Sequence, residues 1–136
     1  MEDYPVKDID EASAITIEMA KCLVTSMRAM AVEWRTAYVR IQFIPGVQEC
    51  KGCYVSDSEV QLFDVFKHKP MIASLQALGE RLRDATSNNG RQFCVALLEV
   101  SSALDYEIHY EWQDASRWRI SKLNGGSGMP EGLLVQ

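Results

Sequence analysis

Glu107, His109 and Glu111 stand two residues apart in a stretch where Tyr106, Ile108, Tyr110 and Trp112 take the alternate positions. This period-two pattern is that of a β-strand with one apolar and one polar side. Both carboxylates and one of the chain's two histidines therefore share a face. Three chemistries suit such a face: metal ligation, general acid–base work, and electrostatic docking of a positively charged partner. As an acid–base couple the two carboxylates are poorly spaced. Four residues of strand separate their Cα atoms by roughly 13 Å at about 3.3 Å per residue, whereas paired glycosidase carboxyl groups lie about 5 to 9.5 Å apart. As metal ligands, Glu107 and His109 need a third donor from another part of the chain, with Asp64, Glu99 and His68 as candidates.

Cys50-Lys-Gly-Cys53 is a lone CxxC, placed before a strand rather than at a helix start, and no second pair exists to complete a structural zinc site. Cys22 falls in the first helix and Cys94 in the most apolar strand. There is no Gly-x-Ser-x-Gly elbow, no phosphate-binding glycine loop ending in Lys-Ser/Thr and no dinucleotide fingerprint. The expectation is a protein without catalytic residues, metal or other cofactor.

The elements that must position these residues can be read from spacing. Residues 8–34 predict a long helix, with Ile15, Met19, Leu23, Met27 and Met30 as its apolar stripe and Asp8 with Glu11 as a capping-box start. Residues 36–44 alternate as a strand that Pro45-Gly46 ends. Residues 52–56 and 59–66 predict two more strands, joined by a turn at Asp57-Ser58. Pro70 opens a second helix whose stripe is Ile72, Leu75, Leu78 and Leu82, and Asn88-Asn89-Gly90 stops it. Residues 91–100 and 106–112 predict two further strands, and Trp118-Arg-Ile120 a last short one.

This order, α-β-β-β-α-β-β, predicts an α+β fold: a mostly antiparallel sheet of five to six strands with two main helices packed on one face. Residues 1–124 form a single domain and residues 125–136, opening with Gly-Gly-Ser-Gly, a flexible C-terminal tail. The other sheet face is expected to be open to solvent, displaying Tyr38, Arg40, Gln42, Gln61, Glu107, His109 and Glu111.

Composition narrows the partners. The net charge of −5 and scattered basic residues argue against binding a nucleic-acid backbone. No segment is apolar enough to span a membrane, and the N-terminus lacks a secretory pattern, so the cytoplasm is the expected compartment and the four cysteines are expected as thiols.

The long first helix, the Glu33-Trp34-Arg35-Thr36-Ala37-Tyr38 transition into a strand, the helix after a three-stranded run and the late acidic-aromatic strand ending at Glu111-Trp112 resemble small bacterial immunity proteins of the YezG-like type. These neutralise polymorphic toxin domains, including those of contact-dependent growth inhibition. The resemblance implies a cytoplasmic monomer or homodimer without an active site. Its partner would be the C-terminal domain of a cognate toxin, often a basic nuclease. Charge and exposure, rather than the resemblance, suggest the docking residues: Tyr38, Asp57, Glu59, Gln61, Glu107, His109, Glu111, Asp114 and Trp118. Two alternatives stay open, a small metal-dependent hydrolase using Glu107 and His109, and a general adaptor or oligomerisation module.

Overall fold

A computed structural model describes residues 9–57 and 59–133. The expected cap residue Asp8, Ser58 of the expected turn, and residues 134–136 lie outside that range. The elements are α1 (Ile9–Met30), β1 (Thr36–Ile44), β2 (Val47–Val55), β3 (Val60–Leu62), α2 (Lys69–Thr86), β4 (Val95–Ser101) and β5 (Tyr106–Glu111), followed by a single 3-10 turn at Leu123–Gly125. All strand pairs are antiparallel and the sheet order is β3-β2-β1-β4-β5. The α+β architecture with two main helices is as expected.

Both helices lie on one sheet face because their apolar stripes have nowhere else to go. Ile15, Met19, Leu23 and Met27 of α1 and Met71, Leu75 and Leu82 of α2 meet Ala37, Val39, Ile41 and Phe43 of β1 and Ala96, Leu98 and Val100 of β4. Phe93 is fully buried beside the rings of Phe43, Tyr110 and Trp112. Helix α1 stops at Met30, where Ala31 turns left-handed, so Trp34 is not the end of its stripe but a half-buried linker residue packed against the same core.

Two boundaries differ from expectation for local reasons. Pro45-Gly46 does not merely end β1. It forms a two-residue turn with Gly46 at φ 77°, and β2 begins at once in direct register, Ile44 opposite Val47. β3 is cut short because the Asp64 carboxylate accepts the Phe66 amide and the Asp64 carbonyl accepts those of Lys67 and His68, curling the chain toward α2. Asn89 and Gly90, both at positive φ, turn the chain between α2 and β4. Among the described residues no helix is long and apolar enough to cross a membrane.

The largest correction concerns the second sheet face, which is covered. Trp118-Arg-Ile120 is not a strand. The chain from residue 112 to 133 runs back across the sheet as a strap, and Trp118 and Ile120 are buried against Tyr38, Cys53, Val95 and Leu97. Met129 and Leu133 pack against the same cluster, and Gly128 and Pro130 are buried, so residues 125–133 do not trail freely. Arg40 fastens the strap: its Nε donates to the Arg117 carbonyl at 2.8 Å, Nη2 to the Ala115 carbonyl at 2.6 Å and Nη1 to Gln42 Oε1 at 2.8 Å. The guanidinium is only 3% exposed, with the Glu49 carboxylate 3.8 Å away.

Candidate functional site

The polar side of β5 is where the expected chemistry gathers. β4 and β5 pair so that Glu99 stands directly opposite Glu107, and His109 opposite Leu97. Like charges facing across an antiparallel pair repel. His109 lies between them: its Nε2 is 3.6 Å from Glu99 Oε1 and 3.4 Å from Glu107 Oε1. That nitrogen is buried and has no hydrogen-bond partner among the described residues. The three donor atoms lie within 4.8 Å of one another, an arrangement that could hold a metal ion. Of the three candidates for a third donor beside Glu107 and His109, the fold delivers Glu99. Asp64 and His68 follow β3, at the opposite edge of the sheet.

Trp118 roofs the cluster, its ring 5.9 Å from that of His109. It is held there at φ 59°, a backbone conformation that bulky side chains rarely adopt. The Arg117 guanidinium sits 4.6 Å over the Trp118 ring and bonds Glu111 Oε1 at 2.7 Å. On the strand next to Glu99, the Tyr38 hydroxyl is pushed up to about 12, first by burial and then by the Glu99 charge and Cys53.

The expected docking residues do not form one surface. Tyr38 and Trp118 are 4% and 5% exposed and pack into the same cluster, so neither is a surface anchor. Gln61 pairs with Tyr54, on the helix side of the sheet rather than the polar side, and bonds Glu59. Asp57 is exposed and pairs with Arg35 at 3.3 Å. These β2–β3 corner residues are four strands from β5, roughly 19 Å at about 4.8 Å per strand.

Glu111 and Asp114 shape the strap's first turn. Glu111 Oε2 accepts the amides of Gln113 and Asp114, and Asp114 Oδ1 accepts the amide and hydroxyl of Ser116. Burial alone would raise the Glu111 carboxyl, but the Arg117 guanidinium and those two amides outweigh it and hold it below the usual range. The Ser116 hydroxyl and amide likewise lower Asp114. A carboxyl lowered in the folded state stabilises it above the unfolded pKa, and that contribution is lost as pH falls through the folded value. Urea midpoints measured from neutral pH down through that value should therefore fall more steeply for the wild type than for Glu111→Gln. Parallel curves would show that Glu111 does not couple the turn to pH.

The CxxC is resolved by parity. Cys50 and Cys53 lie inside β2, three residues apart, so their side chains take opposite faces: Cys50 joins the helix-side core and Cys53 the strap-side cluster. Burial pushes both thiols up to about 12. They cannot share a metal or a disulfide.

Sequence reasoning placed Arg40 on an open surface and missed its role as the strap's fastener. It also missed a groove of about 290 Å³ at the opposite edge, lined by residues that include Leu62, Phe63, Val65, Ile120 and Leu123, with Lys51 and Lys122 among them.

No protein-family model matches this chain, and no curated protein matches it.

Proposed function

We propose that this chain is an inhibitory binding protein of the immunity type, which docks a basic toxin domain along the β5 margin of its sheet. The observation that supports this best is the charge on that margin. Asp105, Glu107, Glu111 and Asp114 follow one another along β5 and the turn beyond it, Glu99 adds a fifth carboxylate from β4, and Glu107 is 70% exposed. Arg117 bonds Glu111, and its charge with that of Arg119 also reaches Asp114. Among the described residues β5 has β4 as its single strand neighbour, and its outer edge suits a partner's backbone or side chains. Carboxylates in such a position steer a cationic partner and select against an anionic one.

The test is whether a toxin domain is encoded beside this gene and whether its C-terminal domain binds this chain. Association should slow as salt rises. An Asp105→Lys/Glu107→Lys pair should reduce the association rate by about tenfold or more, within the range that steering contributes. An Asp57→Lys/Glu59→Lys pair at the opposite edge should change it little. If the opposite-edge pair does the damage, or neither pair does, the β5 margin is not the docking surface.

A further inference from the structure

We propose that Glu99, Glu107 and His109 form a binding site for one divalent transition-metal cation of the zinc class. The ligands are His109 Nε2 and one oxygen of each carboxylate. The site does not depend on the docking reading, because it is built within this chain alone.

Electrostatics gives the first reason. Two carboxylates are set directly opposite each other on neighbouring strands, where they repel. Among the described residues the ion-pair partner of both is the single imidazole of His109. Arg117, on the strap, is turned to Glu111. A divalent ion would cancel both charges at once.

The orphaned nitrogen is the second. His109 Nε2 is buried without a hydrogen-bond partner, although it lies between two oxygens. The separations of 3.4 and 3.6 Å are too long for a charge-assisted hydrogen bond, which runs about 2.7–2.9 Å. They approach the roughly 3.3 Å edge of a tetrahedron whose centre lies about 2.0–2.1 Å from each donor. The third edge, between the two carboxylate oxygens, lies within 4.8 Å. Glu107 can shorten it by a rotamer change, because its side chain is 70% exposed, while Glu99 and His109 are each about two-thirds covered.

The donor set gives the class. One imidazole and two carboxylates suit zinc and its neighbours among the first-row divalent ions, whereas calcium and magnesium favour all-oxygen cages. Thiolates take no part, since none belongs to the cluster. Three protein donors leave a fourth position for water or for a donor from a docked partner.

The test is titration of the metal-stripped chain with zinc by calorimetry and with cobalt(II) by visible absorption. One equivalent should bind. The cobalt spectrum should be that of a four-coordinate nitrogen–oxygen site without a thiolate charge-transfer band. His109→Ala and Glu107→Gln should each weaken binding by more than the about 10- to 100-fold that loss of an outer-shell partner costs. Glu107→Gln is the safer variant, because an exposed side chain can change without disturbing the fold. Glu59→Gln, at the opposite edge, should bind as the wild type does. No saturable binding, a thiolate band, or undiminished binding by Glu107→Gln would overturn the site.

Discussion

Replacing Arg40 with methionine is expected to lower the free energy of unfolding by about 3 kcal/mol or more, since two part-buried hydrogen bonds from a charged donor to backbone carbonyls are lost at about 1.5–3 kcal/mol each. The two carbonyls are those of Ala115 and Arg117, which receive Arg40 Nη2 and Nε from beneath the strap. Methionine keeps most of the volume but none of the donors, so the loss reports hydrogen bonding rather than a cavity. Burial works against the Arg40 charge, and Glu49 is its largest support. Arg40→Lys retains that charge without the planar fork and should recover only part of the loss. The urea midpoint measures the size of the effect, and amide hydrogen exchange measures where it falls. Protection should drop in residues 112–133 before it drops in α1. An unchanged midpoint for Arg40→Met would mean that the strap is held by its apolar contacts alone.

Gly52→Ala is the second large effect. A Cβ at this position would lie 2.6 Å from the Tyr38 carbonyl oxygen and 2.7 Å from a ring carbon of Phe63. The oxygen belongs to the neighbouring strand's backbone and cannot swing aside, so the cost belongs at the upper end of the about 1–3 kcal/mol typical of overpacking. Gly79 in α2 is the internal comparison. Its new Cβ would meet Ile41 Cδ1 at 2.8 Å, the far end of a flexible side chain. Alanine there also removes the roughly 1 kcal/mol helical penalty of glycine. Thermal melts of the two variants should therefore separate clearly, with Gly52→Ala far below the wild type and Gly79→Ala close to it. Similar melts would mean that β2 can shift away from β1 at Gly52.

Much of the architecture was legible because it rests on periodicity. Alternation set β1 to its observed bounds and put Ala37, Val39, Ile41 and Phe43 on the helix side. It also placed Glu107, His109 and Glu111 together opposite Tyr110 and Ile108. The strap was not legible, for a physical reason. A chain laid across a sheet can bury alternate side chains just as a strand within it does, so Trp118-Arg-Ile120 reads the same in either role. Arg40 was hidden for a related reason. Its main partners are backbone carbonyls 75 and 77 residues further along the chain, and a carbonyl leaves no trace in residue type. Once the strap is missed, Tyr38 and Trp118 are assigned to solvent. Glu99 could be named as a third donor for Glu107 and His109, but only the β4–β5 register could prefer it to Asp64 or His68.

The position of the strap after the sheet in the chain order matters while the protein is being made. A ribosome releases residues 36–111, and so the whole five-stranded sheet, before it releases Trp118 and Ile120. During that interval Tyr38, Cys53, Val95 and Leu97 have no cover, and a nascent sheet with an apolar face bare is prone to associate with others like it. The same holds for any product cut short near Glu111, which would keep both helices and all strands yet lack what makes its second face compatible with water.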